Sequence, residues 1–381
     1  MNIKYFDNAA TTKVSNEVLN EMFPYFSDIY FNPSSIYQGS KIAREAIELA
    51  RTRVAKVINA KPEEIYFTSG GSESDNLAIK GIVLGNRKRG SHIITSKIEH
   101  PAVLNTCKTL EKVGYRVTYL DVDSKGLINI DNLKRNIRRD TILISIMSAN
   151  NEIGTIEPLE EIGEIARRNN IIFHTDSVQA IGNLRIDVNK MNIDSLSMSG
   201  HKFYGPKGVG VLYVRNGINF VRQIDGGHQE KDKRAGTENT AGIVGIGKAI
   251  EIADRDFDRN VNRLITLREY YFTKIKENFR NYIINGDRRI RLPGNTNVSF
   301  RGMNGNYIVS KLAGKGIYAS SMSACSSGYF NPSHVLLAVG LNKDDAMSSL
   351  RVTFGKDNTI EEVNELIENL RMIIKWKKIK K

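Results

Sequence analysis

The feature that most constrains this chain is a regular alternation of short β-branched runs with longer helical periods between about residues 16 and 255. Residues 64–68 (EIYFT), 92–96 (HIITS), 116–120 (RVTYL), 142–147, 171–175 (IIFHT), 195–198 and 209–214 read as strands. Helical periods fall between them near 39–58, 73–84, 101–113, 131–137 and 158–169. Parallel neighbours need a crossover of a dozen or more residues, most often a helix. The alternation therefore predicts an α/β domain over 16–255, built on a mostly parallel seven-stranded sheet covered on both faces. In such sheets ligands collect beyond the carboxyl ends of the strands, so function is expected in the loops that follow them.

The pattern changes after about residue 255. A long charged helical stretch over 240–280 is followed by candidate strands at Asn297–Phe300 and Ser349–Thr353 and a terminal helix over Thr359–Ile374. This predicts a smaller α+β unit made of residues 1–15 and 256–381. Apolar residues are 40% of the 381 and charged residues 25%, which excludes a disordered or collagen-like chain. No apolar run approaches the ~18–20 residues of a membrane-spanning helix, and the N-terminal MNIKYFDNAATT has no apolar segment of a signal peptide. The two cysteines, Cys107 and Cys325, cannot form a stapling framework and make no Cys-x-x-Cys pair. Reduced thiols in a cytoplasmic protein are expected. The net charge of +13 sits in scattered clusters such as Arg87, Lys88 and Arg89. Without an aromatic-interleaved basic stripe it reads as a solvated surface, and no direct nucleic-acid binding is expected.

Six segments carry candidate chemistry. In FTSGGSE (67–73) a strand runs into Gly70 and Gly71 and Ser72 opens a helix, a cradle for a phosphate or carboxylate, or a plain helix cap. In SMSGHKFYGPKGVG (197–210) Lys202 follows a strand beside Ser199 and His201, a placement suited to Schiff-base chemistry rather than solvation. The glycines of GPKGVG lead into a strand and not a helix, which rules out a dinucleotide loop. Asp176 in FHTDSVQ sits at a strand end, as a cap or as the counter-ion of a ring nitrogen. SANNEIG (148–154) has two consecutive amides, one more than its turn requires. His100 in EHP follows a strand at the same sheet edge. Cys325 lies in SSMSACSSG (320–328), whose small residues make the thiol a candidate nucleophile. Cys107 lies in a helical run and reads as a packed, inert thiol. A phosphate cradle, an amine, an acid and a ring-stacking residue together are what pyridoxal 5′-phosphate requires.

The motifs then have a likeness. YFDNAATT (5–12), NPSS (32–35), FTSGGSESDNLAIKG, EHPAV (99–103), ANNEIGT, HTDSVQ, SGHKFYGPKGVG, RAGTEN (234–239), SSMSACSSG and SSLRVTFG (348–355) run almost end to end, and in this order and spacing the chain resembles the cysteine desulfurases. These are class V aminotransferase relatives of fold-type I, and the longer cysteine segment resembles the nitrogen-fixation and iron–sulfur-assembly branch. The resemblance implies that Lys202 holds pyridoxal phosphate covalently and moves the substrate Cα proton. It implies that Asp176 pairs with the ring nitrogen, that His100 stacks on the ring, and that Gln179 bonds the ring hydroxyl. Gly71, Ser72, Ser199 and His201 would hold the phosphate, with Thr237 reaching it from the second subunit of a homodimer. Asn151 and Arg351 would bind the carboxylate of L-cysteine, with Asn32 nearby. Cys325 would take the substrate sulfur as a persulfide and pass it to an acceptor protein, an iron–sulfur scaffold or a tRNA-thiolation enzyme.

The chain departs from that pattern in places. Ser72 stands where Thr is usual, Tyr37 where His is frequent, and Met322 where Gly is usual. In DGGHQEKDKR (225–234), His228, Lys231 and Asp232 replace Gly, Arg and Gly, which bears on contacts with a second subunit. A selenocysteine lyase, or another class V pyridoxal-phosphate aminotransferase, is the alternative that Cys325 argues against. A catalytically weak sulfur carrier or interaction scaffold that kept the fold, and a nucleic-acid binder, are further alternatives.

Overall fold

The computed structural model describes residues 3–321 and 331–379. Twelve strands occur among them. They are β1 (Lys4–Tyr5), β2 (Ile65–Thr68), β3 (His92–Ser96), β4 (Arg116–Leu120), β5 (Thr141–Ser145), β6 (Ile172–Asp176), β7 (Ser195–Ser199), β8 (Gly210–Val214), β9 (Tyr282–Ile284), β10 (Asn295–Phe300), β11 (Ile317–Tyr318) and β12 (Ser349–Thr353).

The seven from β2 to β8 form one sheet in the order β2-β8-β7-β6-β5-β3-β4. Neighbours from β4 to β7 are parallel, and β8 runs against both β7 and β2. Every residue of β5 and β6 is buried, as expected of central strands covered on both faces. The register Leu143↔Ile172, Ile144↔Phe173, Ser145↔His174 carries β6 further toward the carboxyl edge than β5, so Asp176 lies beyond the β5 pairing while still paired with Ser197 of β7. The intervening helices Gln38–Val57, Gly71–Gly85, Pro101–Lys112, Ile130–Asn136 and Leu159–Arg168 match the sequence periods to within two residues at each end.

One apolar core lies on the sheet face covered by Gln38–Val57 and Thr240–Arg255, with Val54, Ile246, Phe173 and Met198 in it. The other face packs Leu77, Ile82, Val103 and Leu110 against Ile93, Leu143 and Leu212. Cys107 is buried there, and burial pushes its thiol up to about 12, so it is inert at neutral pH. The charged stretch over 240–280 is two helices rather than one. Thr240–Arg255 ends and Phe257–Asn278 begins at Asp256, whose carboxylate pairs with Arg255 and Arg259.

A further core joins the first residues of the chain to its last third. Phe6 packs with Leu264, Tyr271, Phe300, Leu350 and Leu366. β1 pairs with β11, β10 lies between β9 and β12, and Thr353 N–H donates to the Phe6 carbonyl at 2.7 Å. The segment after β1 is thereby led across the carboxyl edge of the large sheet. No helix among the described residues is long and apolar enough to cross a membrane.

Candidate active site

Five loops leave the carboxyl edge of the sheet and converge on a cavity of about 270 Å³. Gly71, Ser72 and Asp75 reach it from the helix after β2, and His100 from the loop after β3. Asn151 comes from the turn after β5, Asp176 and Gln179 from the end of β6, and Ser199, His201 and Lys202 from the end of β7. Eight of these were expected from the sequence to act on the cofactor, and the cavity brings all eight together.

The two glycines of the cradle serve different needs. Gly70 has φ 154°, open to glycine and strained for other residues. Gly71 begins the helix, and a Cβ there would lie 2.6 Å from Val178 Cγ2, so only a bare backbone fits. The first N–H groups of this helix have no intrahelical partners and lie at the cavity wall with the hydroxyls of Ser72 and Ser199. His201 completes that end. Burial and the neighbouring Lys202 and Lys207 hold it neutral, down at about 4, and Nδ1 is 3.0 Å from Thr11 Oγ1.

Lys202 is the amine of the site. Its Nζ donates to the carbonyls of Ala9 and Ala10, both at 2.7 Å. Burial lowers it to about 8, with the Arg351 charge adding to the effect and Asp176 and Asp7 opposing it. An amine in that range is partly unprotonated near neutrality, as a nucleophile or a base requires. Gln179 Nε2 donates to the same Ala9 carbonyl at 3.0 Å.

Asp176 is buried, and its Oδ1 accepts the Val178 N–H at 2.9 Å. That bond makes a tight turn rather than a helix cap. Burial raises the Asp176 carboxyl, opposed by His100, the Val178 bond and Lys202. His100 Nδ1 accepts the Ala102 N–H at 3.2 Å, so the ring does cap the helix Pro101–Lys112 while also lining the cavity. One ligating atom from each of Asp75, His100 and Asp176 lies within 4.8 Å of the others.

The paired amides divide their labour. Asn150 Oδ1 accepts from Glu152 N–H and Ile153 N–H and Nδ2 donates to Ile98, which builds the turn and leaves Asn151 at the cavity. Arg351 is buried on β12. It donates to the Asn151 carbonyl at 2.9 Å and to Asp7 Oδ1 at 2.7 Å, and its Nε has no partner. It borders the cavity through Asn151.

Two expected residues are not brought to the cavity of this chain. Asn32 spends its Oδ1 on the Ser34 N–H at 2.9 Å, in a turn away from it. Thr237 is exposed. Cys325 lies outside the described residues. Sequence reasoning also missed participants. Ala9 and Ala10 act through carbonyls, which no side-chain pattern reveals. Asp7 and Asp75 sit inside motifs that were quoted for their neighbours, and their charge among apolar and small residues was the available signal.

These residues fit pyridoxal phosphate. Helix N–H groups, hydroxyls and a neutral imidazole form an anion-binding end, and a carboxylate and an amine lie across the cavity from it. Sheet order, lysine and acid together define a pyridoxal-phosphate enzyme of fold-type I. The sequence matches the family described as aminotransferase class-V over residues 4–366. It is 51% identical over 376 residues to the cysteine desulfurase IscS of Clostridium botulinum (strain Hall), covering 98% of this chain and 95% of that one. It is 51% identical to the cysteine desulfurase IscS of Methanosarcina thermophila, covering 97% and 91%. Among solved structures, a NifS-like protein superposes with a TM-score of 0.93 at 38% identity, over 98% of this chain and all of that one. SspA in complex with cysteine superposes at 0.83 and 41% identity, over 93% and 100%. The chain belongs to the class V aminotransferase family and, within it, to the cysteine desulfurases.

Proposed function

We propose that this chain converts L-cysteine to L-alanine and carries the sulfur away as a persulfide on Cys325. The observation that carries the reading is 51% identity to a cysteine desulfurase across 98% of the chain, with Lys202, Asp176 and His100 gathered in one cavity.

Bound pyridoxal phosphate supplies a sink for the electron pair left when the substrate Cα loses its proton. The chain does the rest. The helix N-terminus at Gly71 and Ser72, with Ser199 and His201, holds the phosphate, and Thr237 of a second subunit completes that end. Asp176 would pair with the ring nitrogen, His100 would stack on the ring, and Gln179 would bond the ring hydroxyl. Arg351 and Asn151 bind the substrate carboxylate, with Asn32 supplied nearby. Lys202 would hold the cofactor and, once freed, would take the substrate Cα proton as a free base. The Cys325 thiolate attacks the substrate sulfur. An S–S bond forms as the Cβ–S bond breaks, and the departing pair stays with Cβ, which is reprotonated as alanine is formed. The sulfur leaves oxidised to the persulfide level and Cβ is reduced, so no outside oxidant is required. An acceptor protein, an iron–sulfur scaffold or a tRNA-thiolation enzyme, then takes the sulfur.

A homodimer is part of the reading. Phe23, Phe26, Tyr30 and Ile36 are exposed within one short segment, and Ile36 is fully exposed. A second copy would cover such an apolar face, and Asn32 and Thr237, absent from this chain's cavity, would then be placed at an interface. The division into a unit of 16–255 and a unit of 1–15 with 256–381 and a cytoplasmic location complete the proposal.

The test is L-cysteine turnover under reducing conditions by the purified protein and by Cys325→Ala, following alanine and sulfide. Equal alanine and sulfide from the wild type, with neither from the variant, is expected. Alanine formation that survives in the variant at the wild-type rate would assign the chain to a selenocysteine lyase or another class V reaction.

A further inference from the structure

Asp75 has no role in the reaction described above, yet it is one of the most deeply placed acids in the molecule. It stands on the helix Gly71–Gly85 at the cavity wall, 1% exposed. Its Oδ1 has no hydrogen-bond partner and lies 3.8 Å from His174 Nε2. That nitrogen is engaged with Ser197 Oγ at 3.1 Å, and the other ring nitrogen of His174 with Ser145 Oγ at 2.9 Å.

The groups that face Asp75 from the elements packed around it are Asp176 and His174 on β6, Ser197 on β7, and Glu99 and His100 after β3. None of them brings Asp75 a fixed cation. His174 is fully buried, and burial keeps its imidazole neutral near 3. Asp176 and Glu99 are themselves carboxyls. Asp75 is the fifth residue of its helix, beyond the first turn where the helix N-terminus stabilises a negative charge.

Two buried carboxyls with ligating oxygens under 4.8 Å apart cannot both be ionised without a cation between them. Which one holds the shared proton follows from their partners. Asp176 receives a backbone N–H and the field of Lys202. Asp75 has no such backbone donor and leaves Oδ1 bare, which costs a neutral carbonyl oxygen far less than an anion.

We infer that Asp75 is a neutral carboxylic acid, in the empty and in the cofactor-loaded cavity, and that it acts as a positioning residue that leaves Asp176 as the single anion facing the ring nitrogen. The inference rests on reading this cavity as the cofactor site.

Infrared difference spectroscopy of wild type against Asp75→Asn tests it, on the apoprotein and on the holoenzyme reconstituted with pyridoxal phosphate. The difference is expected to contain the C=O stretch of a protonated carboxyl and no carboxylate pair, in both forms. A carboxylate pair in either form overturns the inference. D75S serves the same subtraction if D75N does not fold. The midpoint of the pH titration of the visible cofactor band supplies a second readout. It is expected to be the same in D75N and wild type, whereas loss of a true negative charge would lower it by about one unit or more. Failure of wild type to develop a cofactor band at all would instead count against the proposed function, which keeps the two failures apart.

Discussion

Lys202 Nζ lies 2.7 Å from the carbonyl oxygen of Ala9, and the same oxygen accepts from Gln179. The strap Asp7–Thr12 thus fixes the Lys202 amine through the Ala9 and Ala10 carbonyls, while Asp176 and Arg351 act on it through their fields. The strap is itself fixed at both ends, by Arg351 on Asp7 and by the Thr12 N–H bond to the His201 carbonyl at 2.8 Å.

This arrangement predicts how the apoprotein takes up its cofactor. The amine must be unprotonated to attack the aldehyde, and burial has lowered Lys202 to about 8. The rate of reconstitution should rise with pH through about 8 and level off above it. Stopped-flow absorbance on apoprotein mixed with pyridoxal phosphate measures this. Lys202→Ala should bind the cofactor without the covalent attachment that borohydride traps, as mass spectrometry would show.

Arg351 predicts a split between binding and chemistry. Its guanidinium is already held by Asp7 and the Asn151 carbonyl, with Nε left over. Arg351→Lys keeps the charge and loses the planar fork, so KM for L-cysteine should rise about tenfold or more while kcat falls less. The cofactor spectrum should not change. Steady-state kinetics with the holoenzyme decides it.

The sequence carried the large sheet because its strands and helices announce themselves by period, and buried central strands by continuous apolar runs such as TILIS in β5. It carried Lys202, Asp176 and Ser199 because charged or hydroxyl residues at strand ends have few structural uses. The break at Asp256 was invisible because helical spacing of apolar residues continues on both sides of it. The role of Ala9 and Ala10 was invisible because it is borne by backbone oxygens. Asp75 and Asp176 are distant in sequence, and only the packing of the helix Gly71–Gly85 on the sheet makes them neighbours.

The unusual segment around residues 225–236 owes its path to Glu230. That carboxylate pairs with Arg51 through two bonds, at 2.9 and 3.1 Å, and accepts the Phe67 N–H at 2.9 Å, all buried. Glu230, Lys231 and Asp232 have φ of 44°, 56° and 63°, a strained run that this anchor holds in place. Glu230→Gln should cost about 3 kcal/mol, because it removes the buried carboxylate that faces Arg51 Nη1 and Nη2 and leaves that charge only the more exposed Glu48, 3.0 Å from Nε. Denaturant unfolding measures it. Weaker cofactor retention should accompany the loss, since Thr237 follows directly.

Glu157 makes stability pH-dependent. It is buried, accepts one N–H from Ile128 at 3.2 Å and has a bare Oε1, and burial raises it to about 8. Its folded-state value is above its unfolded one. Its contribution is therefore full below about 4.5 and is lost as pH rises toward 8. Glu157→Gln should flatten that fall and raise stability at pH 8 by more than about 1 kcal/mol, read as midpoints of denaturation across pH.

The proposed reaction passes the substrate sulfur to Cys325. Mass spectrometry of the Cys325 peptide after one turnover of the holoenzyme with L-cysteine, without reductant or acceptor, tests this directly. A gain of one sulfur atom on Cys325 is expected, together with one alanine released per site and no such gain on Cys107. Alanine release with Cys325 unmodified would contradict it.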